Sequence, residues 1–381
     1  MFFIPLRRPV RPLFRVLAGL IGSGLVGTSL AQRADAQRPS VQINAFGHLE
    51  YTAMRRDSTD AYFSIGEHSL FAVGTISERV SFLGEAVVRP VSGSPTGFAA
   101  GLERALVRFN FRNNHALIAG KVHTPLNYWN DVYHHGRLFY PVIDRPFSFS
   151  TLVPLHTLGV QLQGQNLGRS RFGYDAMLGN GIASSDTYEG GVSPAVMLAV
   201  HAKPVDGLRI GMSVYRDRME ANGYGAHSGH GGAAHQHGGA MYKGPLDFQL
   251  ANASIAWFGR RTEFLQELSV NRNVTDSLGV AINRSAFMYL GARVRDPLVA
   301  YAFGDYLYSA LNDLHVLPMR RWKTGFGMRY DLATTVHIKG QLEYSGERLS
   351  HAAAGHGMKP GDPFMPWRRA FGLRLQLAYG L

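Results

Sequence analysis

The stretch "RAFGLRLQLAYGL" (Arg369–Leu381) decides the fold class. In it Phe371, Leu373, Leu375, Leu377, Tyr379 and Leu381 alternate with Gly372, Arg374, Gln376, Ala378 and Gly380. Side chains of a strand point to opposite faces in turn, so this period of two gives one continuous apolar face and one face bearing small and polar groups. A helix would scatter the same residues around its circumference.

The pattern recurs along the chain. In "VQINAFGHLEY" (41–51), Val41, Ile43, Ala45, Leu49 and Tyr51 share one face, and Gln42, Asn44, His48 and Glu50 share the other. About sixteen such segments are predicted, from 41–53 through 102–112 and 193–203 to 368–380, each about 9–14 residues long, the length a tilted strand needs to cross a bilayer. Their connections alternate in length. Tight links such as Arg112-Asn113-Asn114, Gly259-Arg260-Arg261, Arg295-Asp296-Pro297 and Asp331-Leu332-Ala333 are expected at one end, and long loops at the other, the longest at 125–154, 219–246 and 347–367. In lipid, backbone N–H and C=O groups must be satisfied within the protein, and for strands only a closed barrel achieves this. The expected architecture is all-β: a transmembrane antiparallel barrel of about sixteen strands.

The start of the chain has a different character. Arg7, Arg8, Arg11 and Arg15 precede a run of about 16 apolar or small residues and an A-x-A site at Ala34-Asp35-Ala36, the layout of a secretory signal peptide. Residues 1–36 are therefore read as the signal and 37–381 as the barrel. Removing residues 1–36 takes away five arginines and one aspartate, which lowers the net charge from +12 to +8. The remaining basic residues are dispersed, so nucleic acid is not an expected partner; anionic solutes and lipopolysaccharide are. The chain has no cysteine, which excludes disulfides and thiolate metal sites.

A last strand with apolar or aromatic residues at alternate positions resembles the assembly signal of bacterial outer-membrane barrels. With the leader and the alternation of turns and loops, the mature chain resembles the sixteen-stranded porins throughout. "GKVHTPLNYWNDVYHHGR" (120–137) is similar to a stretch of the broad phosphate-selective porin type. The chain ends in Leu381 rather than phenylalanine and has no compact lysine cluster, so phosphate specificity is not carried over. The resemblance implies integral insertion in the outer membrane among lipid and lipopolysaccharide, handling by the barrel-assembly machinery, and a homotrimer. It further implies passive diffusion of small hydrophilic solutes without cofactor or catalysis.

Strand parity yields candidate pore-lining residues. Ala105, Val107, Phe109 and Phe111 are assigned to lipid, which places Arg104, Arg108 and Arg112 inside as a ladder. The same rule turns inward Arg89, Lys121, Arg209, Arg293, Lys323, Arg329, Lys339 and Arg374, against Glu50, Glu85, Asp175, Asp217, Glu267, Asp331 and Glu343. That excess of basic groups predicts a mild preference for anions. The competing expectation is that these arginines pair with the acids and stiffen the wall.

The segment 124–154 is rich in aromatics where a solvated loop should be polar, with Tyr128, Trp129, Tyr133, Phe139, Tyr140, Phe147 and Phe149. Such mass needs burial, and the lumen is the space on offer. In the porins this chain resembles, the loop at this position narrows the barrel. The expectation is the same here, with Asp131, His134, His135, Arg137, Asp144 and Arg145 facing the strand arginines.

A second histidine-rich stretch, "HSGHGGAAHQHGG" (227–239), falls in another long loop. His227, His230, His235 and His237, joined by His351 and His356, have the donors for a metal ion but no rigid setting to hold them. No metal ligand is assigned. A closed surface receptor or metal-capturing barrel that uses these loops is the alternative to a porin. No G-x-S-x-G, H-E-x-x-H or P-loop motif is present, so nothing in the sequence points to an enzyme.

Overall fold

The computed structural model describes residues 40–56, 59–91, 97–135, 140, 142–182, 191–219, 245–313, 315–351, 353 and 361–381. The leader, Arg137, His356 and the 227–239 tract lie outside the described residues.

Sixteen strands follow one another: β1 (Ser40–Arg55), β2 (Thr59–Thr75), β3 (Val80–Pro90), β4 (Phe98–Arg112), β5 (His115–His123), β6 (His156–Leu167), β7 (Phe172–Gly179) and β8 (Gly191–Ala202) form the first half. The second half comprises β9 (Leu208–Met219), β10 (Leu246–Phe258), β11 (Thr262–Thr275), β12 (Gly279–Arg295), β13 (Leu298–Tyr308), β14 (Met319–Ala333), β15 (Val336–Leu349) and β16 (Arg368–Gly380). Each pairs with its sequence neighbour, and β1 pairs with β16 from Phe46↔Gly380 to Arg55↔Phe371, which closes the barrel. Every pairing is antiparallel, so no strand edge is left open to lipid. No described helix is long and apolar enough to cross a membrane; the crossing is made by strands.

The wall sorts as its alternation requires. Leu70, Leu102, Val107, Leu162, Val196, Leu198, Met212, Leu268, Leu290, Phe326 and Leu375 stand exposed on the outside, while Asn252, Glu267, Ser269, Lys339, Gln341 and Gln376 are buried. Turns at one end are short, as at 113–114, 203–207, 259–261 and 296–297. The Asp331-Leu332-Ala333 link is a correction to the sequence reading: all three residues belong to β14 and the turn falls at 334–335. The opposite end is also less uniform than expected, because connections 56–58 and 276–278 are as tight as the turns.

Of the register irregularities in the ladder, two bulges matter most for the interior. Between β1 and β2 the register shifts so that Gly66 and Glu67 together oppose His48. A side chain at position 66 would collide with the His48 ring, so glycine is required there. Between β3 and β4, Arg104 pairs with Glu85 and Leu102 with Ala86, leaving Glu103 as the extra residue. Leu102 and Val107, five apart, both face outward, and Glu103 and Arg104 both turn in. A third irregularity follows at Gly120 of β5, whose φ of 129° is open to glycine; beyond it, consecutive Lys121 and Val122 are both buried.

Candidate functional site: the loop inside the barrel

The segment joining β5 to β6 carries two short helices, α1 (Tyr128–Val132) and α2 (Phe147–Thr151). Asn127 caps α1 by accepting a hydrogen bond from the Asn130 N–H at 2.8 Å, and Pro146 precedes α2. The aromatic residues drive burial. Trp129 and Tyr140 are fully buried, with ring centroids 4.6 Å apart in an edge-to-face contact, and Trp129 meets Phe287 of β12 at 5.5 Å. Tyr140 packs on Tyr289 and Tyr128 stacks on Phe258.

A buried loop must also satisfy its backbone. The Trp129 N–H donates to Glu267 of β11 at 2.8 Å, the Phe147 N–H to Asp305 of β13 at 2.8 Å, and the Ile143 N–H to Gln341 of β15 at 3.2 Å. The Leu126 carbonyl accepts from Ser213 of β9. Part of the polar inner wall therefore serves as docking points for this loop rather than as free surface for water.

Charges complete the attachment. Asp131 pairs with Arg209, whose guanidinium also lies 5.2 Å from the Tyr128 ring centroid. Asp144 accepts from Lys323 at 2.8 Å and lies 3.4 Å from Arg374, which itself donates to Glu343 at 3.2 Å. Arg145 grips Glu67 with two parallel hydrogen bonds of 2.9 and 2.7 Å. His134 lies 3.2 Å from Glu103, and His135 lies 3.2 Å from Glu85 and 3.8 Å from Glu67. Burial would lower the His135 imidazole, but Glu85, with Glu67 and Glu103, raises it to about 9. Burial pushes the Tyr128 phenol up to about 12 against the pull of Arg209.

The strand arginines are correspondingly committed. Arg104 donates to Glu85 at 2.6 Å, Arg329 lies 2.8 Å from Asp331, and Arg293 sits beside Asp296 at a turn. Lys121 is buried and donates to the Leu102 carbonyl at 2.7 Å. Arg108 is held by amide oxygens, Gln163 at 2.6 Å and Asn110 at 3.0 Å. Arg112 lies exposed at the end of β4, beyond a register shift, and does not extend the ladder.

The charge balance read from parity needs correction. Buried Glu67, Glu103, Glu263 and Asp305 are absent from it, while Arg112, which is exposed, is counted in it, so the basic excess disappears. Glu67 and Glu103 escape because each lies at a bulge, which strict alternation cannot register. His123 and His156 also went unassigned, though a signal was present: they are the last residue of β5 and the first of β6, and they face one another in register. With His134 and Glu103 they bring one potential ligand atom each to within 4.8 Å of one another.

No protein-family model matches the chain, and no curated protein is similar to it in sequence. Solved structures do match. The anion-selective porin from Comamonas acidovorans superposes with a TM-score of 0.62 at 10% identity, covering 90% of this chain and 100% of that one. A loop-deletion mutant of the outer membrane protein OmpT of Vibrio cholerae gives 0.60 at 13% identity, covering 90% and 99%. The outer membrane channel DcaP of Acinetobacter baumannii gives 0.59 at 8% identity, covering 90% and 97%. The fold is that of the sixteen-stranded outer-membrane porins.

Proposed function

We propose that this chain is a passive porin of the bacterial outer membrane, through which small hydrophilic solutes diffuse past a constriction formed by loop 124–154. The observation that carries the reading is a closed sixteen-stranded wall, apolar outside and polar within, crossed by a loop anchored to inward side chains. Asp131, His134, His135, Asp144 and Arg145 are the constriction residues, and Arg104, Arg108, Lys121, Arg209, Arg329 and Arg374 the basic groups around the passage. Because most of these cations are paired, selectivity is weak. A slight anion preference rests on Arg108, whose hydrogen bonds go to neutral amides, with the Asp175 carboxylate behind them. Residues 1–36 act as a cleaved export signal, which an amino terminus at Gln37 would establish. Assembly as a trimer is supported by the likeness to OmpT of Vibrio cholerae, one form of which is described as a trimer.

The test is single-channel recording of the purified barrel in a planar bilayer under a KCl gradient. Open steps with a reversal potential slightly on the chloride side are expected. A second reading has its own observation: the loop reaches side chains from β2 and β4 round to β15 and β16, a span that would suit a shut lumen. Folded protein that yields no steps would establish that closed barrel in place of the porin.

A further inference from the structure

We infer that Glu103, His123, His134 and His156 form a binding site for a divalent transition metal ion, zinc being the best match, which ties the inward loop to the barrel wall. A tetrahedral zinc ion with bonds of about 2.0–2.2 Å holds its ligand atoms roughly 3.3 Å apart. Glu103 Oε1 already lies 3.2 Å from His134 Nε2 and 3.1 Å from His156 Nε2, and one donor atom from each of the four residues lies within 4.8 Å of the others. The His123 ring stacks on His134 at 3.7 Å and stands 5.2 Å from that of His156, so a tilt of His123 out of that stack is the movement that turns its lone pair onto the ion and closes the set.

The hydrogen bonding around His134 presents the right lone pair. The Asn130 amide nitrogen donates to the carbonyls of Thr124 and Leu155 at 2.6 and 3.1 Å, which leaves its oxygen facing His134 Nδ1 at 2.6 Å. That nitrogen must donate, so in the neutral ring Nε2 carries the lone pair, and it is aimed at the Glu103 carboxylate. Holding these two groups at 3.2 Å takes a proton or a metal ion between them. His123 adds a second pointer: its Nε2 is shielded from solvent and has no hydrogen-bond partner.

The framework is rigid. Glu103 is placed by the β4 bulge, and His123 and His156 by facing positions in the β5–β6 ladder, so three of four ligands are fixed before the loop docks. Three imidazoles and one carboxylate favour borderline ions such as Zn²⁺ and Co²⁺ over Ca²⁺ or Mg²⁺, which take oxygen donors. The ion would neutralise Glu103, buried at 2% exposure, and pin His134 of the loop to three wall residues.

The experiment uses the folded barrel in detergent, treated with EDTA, with residues 226–239 deleted to remove His227, His230, His235 and His237, and titrated with Co²⁺ and then Zn²⁺. One Co²⁺ per chain, showing the visible bands of a tetrahedral ion and displaced by Zn²⁺, is expected. Asn130→Ala should weaken binding roughly 10–100-fold, the usual effect of losing a residue that orients a ligand. His123→Gln and His156→Gln should weaken it further, with far-UV circular dichroism unchanged. Absence of the bands from folded protein, as a proton-bridged histidine cluster would give, overturns the inference. So does a site that survives both glutamine substitutions. Conductance plays no part in this readout, so the metal site and the porin reading stand or fall separately.

Discussion

Replacing Trp129 with alanine tests whether loop 124–154 is held in the barrel by its aromatic anchor. The side chain is fully buried and touches Tyr140 and Phe287 edge to face. Truncating a buried tryptophan to alanine costs about 3–5 kcal/mol. The indole nitrogen has no hydrogen-bond partner, so no polar contact is lost with it and the lower part of that range, about 3–4 kcal/mol, applies. At roughly 1.4 kcal/mol per decade, the ratio of docked to undocked loop should fall on the order of 100–1000-fold. None of this energy belongs to the strand ladder, because Trp129 lies in α1 and the barrel closes through β1 and β16. Single-channel recording should therefore show larger and noisier open steps in Trp129→Ala, intermediate behaviour in Trp129→Phe, and an unchanged barrel melting temperature in both. Identical conductance, together with unchanged protection of 124–154 from protease, would refute the claim that this aromatic contact holds the constriction.

Arg108→Gln should move the permeability ratio toward cations by about two-fold at low salt, since a unit charge ~8 Å from a passing ion is worth about 0.5 kcal/mol in water; the reversal potential reads this directly. Leu375→Arg puts a charge on the exposed face of β16 near its middle and should destabilise the barrel by about 2–4 kcal/mol in denaturant unfolding from lipid vesicles. In the loop joining β13 to β14, burial pushes His315 down from 6.5 to about 4 against the pull of Asp313, and the ring lies against Phe248. The unfolded loop then binds more protons than the docked one between those values, so stability falls as pH drops from 6.5 toward 4. Amide exchange in 309–318, corrected for the intrinsic rate, should accelerate over that interval. Deleting residues 226–239 should leave conductance unchanged, whereas a shut pore in that variant would assign the tract a role in the channel.

Much of this protein is legible from one local regularity. Alternation in segments such as 369–381 depends only on neighbouring residues, because successive side chains of a strand must point to opposite faces, and a bilayer rewards the arrangement that shows it apolar groups. Strand number, the order of turns and loops, and the aromatic loop at 124–154 all follow from that rule and from composition. A bulge breaks the rule silently: one extra residue at Glu103, and Gly66 and Glu67 opposite a single His48, exchange inside for outside without altering the look of the sequence. Two of the four carboxylates missing from the interior's charge balance, Glu67 and Glu103, lie at those points. Only tertiary structure decided which wall groups receive the loop's backbone, since Glu267, Asp305 and Gln341 lie more than a hundred residues from the N–H groups they accept. The same holds for Glu103, His123, His134 and His156, four residues on three strands and a loop, which meet because β4, β5 and β6 are neighbours in the wall and burial of the loop brings His134 against them.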